Sequence, residues 1–519
     1  MKHPALHLLL LLLLCIPLRA QDLHPLNQAL WQQTERIIQH ERIPVFTSLK
    51  PVPEALYMGR HCSDSLRALP QFPQPDSWVG RKMFHEDLVS VKAEGLQFRL
   101  NPLMDFSYGQ EKGSDEYLYR NTRGFMISGT SYGRISFSTA FYENQGRFPS
   151  WMVERFAQRG VVPGQGAAKA FGTDAWDFAW SEGHLMAEVF RGLLLELGYG
   201  KTFFGDGYCS LIQSDYAFVH PYLGYRYYRE HFFVASQVSS YIDRIKPDGG
   251  LRGAPRKTSA WHSLGYRNRF LEISLVEANM YSNPDSSGRF RWQTEFFNPL
   301  PFFNSIAGRG NNLFGFNLKI VPWPSLQLYG QLLLDEADTK KLLRSTSLIN
   351  KTGFQAGFKY FDVLTISGLY LQAEYNQVRP WACMAESVPQ SWTHYNEPLQ
   401  HPLGANFREL ILRLDYRAGR FLVNSAYVLA VQGSTGAGNG TGIELISSST
   451  PLNTGLLDAY PSDIRNADLG LAWLVNPAWN MQLGINFHYR VKENDIFHQS
   501  ARTLSISLRT ALNNFYSDF

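Results

Sequence analysis

Long hydrophobic runs are nearly absent from this 519-residue chain: the one uninterrupted apolar stretch is Leu8 to Ile16. A membrane-crossing helix needs about 20 apolar residues in succession, so a polytopic helical membrane protein is excluded. Charge is scarce as well, at 18% of residues, whereas 44% are hydrophobic and 14% aromatic, which excludes intrinsic disorder. There are four cysteines, one of them (Cys15) inside the apolar run. The others, Cys62, Cys209 and Cys383, form neither a disulfide framework nor a CxxC metal site, so at most one bridge is expected. A formal net charge of only +4 points to no nucleic-acid partner. What is abundant is glycine (42) and tyrosine (26), leaving a soluble all-β protein or a transmembrane β-barrel.

Lys2, the apolar Leu6–Ile16 and Leu18-Arg19-Ala20 before Gln21 read as a secretory signal peptide over residues 1–20. Its removal takes away Lys2 and Arg19 and no acid, lowering the formal charge from +4 to +2. Residues 21–93 are not strand-like. Leu23, Leu26, Leu30 and Ile37 recur at helical spacing up to Pro44, and a proline-rich stretch follows (Pro44, Pro51, Pro53, Pro70, Pro73, Pro75). This segment is predicted to be a small periplasmic helical cap or plug with an irregular linker.

From residue 94 to 519 the hydrophobic period is two. Leu326, Leu328, Leu332 and Leu334 interleave with Gln327, Gln331 and Asp335; Leu410, Leu412, Leu414 and Tyr416 interleave with Glu409, Arg413 and Asp415. Met481, Leu483, Ile485, Phe487 and Tyr489 alternate in the same way with Gln482, Asn486, His488 and Arg490. Loop lengths separate barrel from sandwich. With 283–310 counted as one loop, short connections near 131, 190, 230, 268, 323, 362, 418 and 477 alternate without a break with longer polar segments, which gives 18 strands. An even strand count with short turns at one end and long loops at the other is the pattern of bacterial outer-membrane barrels. The terminal Phe519 resembles the aromatic that barrel-assembly machinery reads, although the alternation breaks near Asn513-Asn514.

Catalytic signatures are thin. Gly433–Gly442 is glycine-rich but lacks the Lys-Ser/Thr of a phosphate-binding loop, and neither GxSxG nor HExxH occurs. His394, His401 and Glu397 share a loop, with a spacing that fits no helical or hairpin metal scheme. No enzyme activity and no cofactor is expected. Two stretches are more specific. In Leu197–Ala217, glycines at 198, 200, 205 and 207 permit a tight fold-back that presents Asp206, Tyr208, Gln213, Asp215 and Tyr216 together. In Glu374–Glu409, Trp381, Trp392 and Tyr395 stand beside Arg379, His394, Asn396, Glu397, His401 and Asn406. Flat aromatic faces next to amides and carboxylates suit sugar rings, which stack through C–H faces and hydrogen-bond through hydroxyls. Polysaccharide contact is therefore expected at Asp206, Tyr208, Asp215, Tyr216, Arg379, Trp381, Trp392, His394, Tyr395, Asn396, Glu397 and His401. The alternative is that these loops fold inward, satisfy one another and constrict the lumen.

LGYGKTFFGDGYCSL (from Leu197), NPLPFF (Asn298–Phe303), LQLYGQLLLDE (Leu326–Glu336), AEYNQVRPW (Ala373–Trp381) and THYNEPLQHPLGANF (Thr393–Phe407) resemble the Wzi-like capsule-assembly family, in particular its Bacteroidota branch, which includes a gliding-motility-associated protein. The resemblance implies an 18-stranded barrel in a Gram-negative outer membrane, an N-terminal periplasmic helical region, and a lectin-like role holding capsular polysaccharide at the cell surface. Cys209 stands where the family pattern GDGYRSL has Arg. The partners expected are surface polysaccharide, outer-membrane lipid and, during insertion, barrel-assembly machinery. Competing readings are a porin-like channel and a structural component of gliding or type IX secretion machinery.

Overall fold

In a computed structural model of the chain, the period-two segments form eighteen antiparallel strands. The structure describes residues 23–53, 75–243, 256–282, 310–335, 351–433 and 461–519 (133, 173, 386, 388 and 389 aside), together with 56, 254, 456 and 457. The signal peptide, Cys62, NPLPFF and all but the first residue of the glycine-rich segment lie outside the described residues.

The strands, in chain order, are β1 (Leu96–Glu111), β2 (Tyr117–Ser131), β3 (Ile135–Arg147), β4 (Ala175–Phe190), β5 (Leu193–Gly200) and β6 (His220–Arg229). They continue with β7 (Phe232–Ile242), β8 (Arg256–Arg267), β9 (Leu271–Ser282), β10 (Asn311–Trp323), β11 (Leu326–Asp335) and β12 (Thr352–Phe361). The last are β13 (Leu369–Val378), β14 (Phe407–Ala418), β15 (Phe421–Gln432), β16 (Ser462–Asn476), β17 (Met481–Glu493) and β18 (His498–Arg509). Each pairs with its sequence neighbours, and β18 closes on β1 from Thr503↔Glu111 to Arg509↔Asp105. Closure leaves no strand edge, as a hydrocarbon environment demands. The eight short turns fall where the sequence places them, all at one end, the end that faces the periplasm in bacterial barrels. Alternation sorts the faces: on β11 Leu328, Leu332 and Leu334 are exposed outward while Gln327, Gln331 and Asp335 are buried in the lumen.

The lumen is filled. Helix α1 (Gln28–His40) lies inside it, with its N-cap Asn27 at mid-height and its C-terminus at the short-turn mouth, where Arg36 and His40 meet Asp362 at 2.8 and 3.0 Å. The helix agrees with the predicted spacing, but its buried face does not. Trp31, Thr34, Glu35, Ile38 and Gln39 are covered, rather than the stripe through Leu30 and Ile37, because the wall it meets is polar. Lys359 on β12 binds Glu35 at 2.7 Å, and Gln39 donates to Gln327 on β11. Helix α2 (Trp78–Phe84) stays outside, under the short turns, where Asn476 and Trp479 donate to the Lys82 and Glu86 carbonyls. Helix α3 (Ser150–Arg159) follows β3 and buries Trp151, Met152 and Phe156 at the long-loop end.

The end of the chain corrects an expectation. Phe519 does not terminate a strand: β18 stops at Arg509, and residues 510–519 turn back into the lumen. Polar Asn513 and Asn514 break the alternation and find partners inside, Asn513 on Glu182 (2.9 Å) and Asn514 on Asp215 (2.8 Å). Phe519 packs edge-on against Trp151 and Tyr216, beneath the Arg155 guanidinium at 3.8 Å.

Candidate functional site

The β5–β6 loop leaves β5 at the long-loop end and descends into the barrel. Phe203–Phe204 pairs antiparallel with Leu49–Lys50, tying the loop to the N-terminal segment. Gly205, at φ 142°, allows the turn that follows: its N–H donates to the Ser48 carbonyl at 2.7 Å, and a Cβ there would lie 2.4 Å from Gln331. Asp206 is thereby delivered to Lys319 of β10 (3.1 Å) and accepts from Asn317 (3.1 Å) and Thr47 (3.3 Å). Lys319 also meets Glu272 of β9 at 2.8 Å. Burial alone would raise the Asp206 pKa, but Lys319, Lys50 and Lys359 outweigh it and hold the carboxyl below the usual carboxylate range. Burial pushes Lys50 down to about 8; its ammonium donates to the Gly205 carbonyl at 2.5 Å and rests against the rings of Phe203 and Trp31. Two residues on, Glu374 of β13 accepts from the Tyr208 N–H (2.6 Å) and the Tyr329 hydroxyl (2.8 Å).

Above this layer the β13–β14 loop caps the barrel. Trp381, Cys383, Tyr395, Asn396 and Asn406 all adopt positive φ, so the loop is wound tightly rather than spread over the rim. Its small hairpin, Thr393–His394 against Glu397–Pro398, points its side chains into the protein. His394 accepts the Ile242 N–H at Nδ1 (3.1 Å) and donates from Nε2 to the Val219 carbonyl (3.1 Å); burial keeps it neutral, down to about 4. Glu397 accepts from the Gly164 N–H (2.7 Å) and the Tyr216 hydroxyl (2.8 Å), and burial raises its pKa. Asn396 also turns inward: its N–H donates to Asp243 (2.9 Å) and its amide to the Arg159 carbonyl (3.0 Å). His401 stacks on Phe407 and contacts Glu409 at 2.9 Å. Trp381 and Trp392 belong to the main apolar cluster with Met384, Leu399 and Leu403, and Tyr395 packs on Phe218. Arg379 lies at the loop's root, where its N–H donates to the Thr352 carbonyl at 2.9 Å.

The structure therefore brings the two stretches together, but with their functional groups facing each other. Asp206, Asp215, Tyr216, Trp381, Trp392, His394, Tyr395, Glu397 and His401 are buried, and Tyr208, Arg379 and Asn396 are partly covered. An aromatic platform of Trp381, Trp392 and Tyr395 at the surface is not what these rings form; packing against apolar neighbours outcompetes exposure. Buried Cys209 and Cys383 are free thiols.

Two of the expected residues do line space. Tyr208 and Asp215 border a small cavity of about 40 Å³ with Trp31, Lys50, Gln372 and Arg413. A larger crevice of about 490 Å³ opens between α1 and the inner faces of β13–β15 toward the short-turn end. Gln32 and Tyr370 line both spaces. The crevice residues Gln32, Gln33, Arg36, Arg417, Asn424 and Gln482 were not singled out by sequence reasoning. Their only signal is position, on the polar phase of the strands or on a helix whose polar side faces a polar wall.

No family model and no curated protein matches the chain. Among solved structures it is similar to Wzi of Escherichia coli, described as an outer-membrane protein involved in group 1 capsule assembly and a carbohydrate-binding beta-barrel, at 12% identity and a TM-score of 0.55 over 95% of this chain and 100% of that one. OprD of Pseudomonas aeruginosa (12% identity, TM-score 0.42, 83% of this chain and 100% of that one) and OccAB2 of Acinetobacter baumannii (10%, 0.43, 80% and 98%) are more distant matches. At such identities the likeness is one of fold: the chain is a closed, 18-stranded outer-membrane β-barrel.

Proposed function

We propose that this barrel binds or anchors polysaccharide at the cell surface, without catalysis, and does not act as a diffusion channel. The observation that carries the reading is the obstruction at mid-height. Barrels of 16–18 strands ordinarily leave an aqueous lumen. Here that space holds α1, the β5–β6 loop and residues 510–519, locked through Asp206–Lys319–Glu272 and Glu374–Tyr208. A lumen wired shut by buried ion pairs suits a rigid scaffold that displays a binding surface. The carbohydrate binding described for Wzi, the match with the higher TM-score, supports the same reading.

Two measurements test it. Cells lacking the protein should release polysaccharide into the medium while still making it; unchanged cell-bound polysaccharide would sink the proposal. Purified barrel in planar bilayers should conduct little, and a large steady conductance would replace the proposal with a porin.

A further inference from the structure

We infer that the crevice between α1 and strands β13–β15 is a saccharide subsite on the short-turn side, with Arg417 holding an acidic group of the bound sugar. This rests on the polysaccharide reading above and goes beyond it by giving the ligand a charge, a side of the membrane and a site distinct from the long loops.

The crevice, about 490 Å³, falls within the roughly 300–1,000 Å³ range of ligand clefts. Its lining divides into three chemistries. Gln32 and Gln33 from the helix and Asn424 and Gln482 from the wall supply four side-chain amides, each able to donate and accept, as sugar hydroxyls require. Ile37, Leu369 and Leu422 supply apolar surface for C–H faces. Arg36 and Arg417 supply positive charge, set against Asp362, Asp415 and Glu41, and His40 adds an imidazole.

The acids do not cancel the cations evenly. Asp362 is committed to Arg36, His40 and the Gly368 N–H, and Asp415 to Arg413 at 2.9 Å. Arg417, on the inward phase of β14, has no carboxylate within ion-pair distance among the described residues, and the charge acting on it is Arg36, of the same sign. A half-buried guanidinium with a cation as its electrostatic neighbour is a receptor for a planar carboxylate, which it can grip with two parallel N–H donors. At its inner end the crevice meets the 40 Å³ cavity across Gln32 and Tyr370, and Tyr208, Asp215 and Asn514, with Asn514 bonded to Asp215 at 2.8 Å, line that cavity. A chain end entering from the short-turn side is thus stopped and held, not passed through.

The test uses the purified full-length barrel and titrates trigalacturonate, cellotriose and inorganic phosphate by calorimetry. Trigalacturonate should bind, cellotriose should bind more weakly, and Arg417→Gln should lose about ten- to hundredfold in trigalacturonate affinity. Gln32→Ala with Asn424→Ala should weaken both sugars while the unfolding temperature stays unchanged. Equal affinity for the acidic and neutral sugars, or an unaltered affinity in both variants, overturns the inference. So does displacement of trigalacturonate by equimolar phosphate, which would make this a general anion site. If cell-bound polysaccharide is lost on deletion of the protein but kept in Arg417→Gln, the anchoring function stands and this subsite falls.

Discussion

Asp206 is the residue on which the interior balances. Its charge is the strongest counter to Lys50, ahead of Glu35, and it shares Lys319 with Glu272. Asp206→Ala is expected to cost about 3–5 kcal/mol, because it leaves Lys319 with Glu272 alone and takes from Lys50 its main counter-charge. Asp206→Ala combined with Lys319→Met should cost less than the single change. The temperature at which the heat-resistant folded form is lost on a gel would order the three proteins, and a double variant less stable than the single would refute the account. Asp518 gives the pH dependence. Burial, with Glu409 and Asp468 nearby, pushes its carboxyl up to about 6. A folded pKa above the ordinary 3.8 means that the docked tail binds the extra proton. Docking is therefore strongest below about pH 4 and weakens as pH rises through about 6. Amide exchange at residues 515–519, corrected for its intrinsic rate, should be more protected at pH 5 than at pH 8, and Asp518→Asn should abolish the difference.

At the scale of elements, legibility in the sequence follows the solvent each element faces. The strands were readable because one face meets lipid and the other a polar lumen, which writes a period of two. The contrast between Leu328 or Leu332 outside and Gln331 inside is typical. Turn lengths were readable because short turns need no side chains of their own. The fillers of the lumen were readable only in part: a helical plug and inward-folding loops were among the readings, but the faces they bury and the docked tail were not. Hydrophobicity marks what is buried only when the surroundings are apolar, and α1 buries Thr34, Glu35 and Gln39 against Gln327 and Lys359. The same inversion hid the site: Asp206, Glu397 and His394 looked like ligand-facing groups, yet each is consumed by interior partners. The tail had a further disguise, since a terminal aromatic after an alternating strand reads as the last rung of a ladder. Asn27 links these elements, accepting from the Leu30 N–H at 3.0 Å as helix cap and donating to the Leu512 carbonyl at 2.7 Å. Asn27→Ala should cost about 1–2 kcal/mol as a lost cap and also loosen the tail. Faster proteolytic removal of residues 510–519 would register the second effect, and an unchanged rate would confine Asn27 to capping.

Across the whole molecule, the three lumen segments behave as one interlocked body. The β5–β6 loop reaches the tail through Asp215, which accepts from Tyr516 at 2.7 Å and from Asn514 at 2.8 Å. The tail reaches the N-terminal segment through the Asn514 N–H on the Leu26 carbonyl at 3.0 Å. The N-terminal segment returns to the loop through Leu49–Lys50 on Phe203–Phe204. Such a ring of contacts opens in a graded way. Deleting residues 510–519 removes one member but leaves α1 and the loop held by the wall through Lys359–Glu35 and Asp206–Lys319. Brief, flickering currents in planar bilayers are then expected. Deleting residues 23–53 as well removes Thr47, Lys50 and all of α1, so the β5–β6 loop keeps only its wall contacts. A stable conductance should appear, with entry of large antibiotics that the intact protein excludes. If the double deletion still runs as a folded barrel yet stays silent, the long loops alone close the mouth, and the N-terminal and C-terminal segments serve binding and stability rather than sealing.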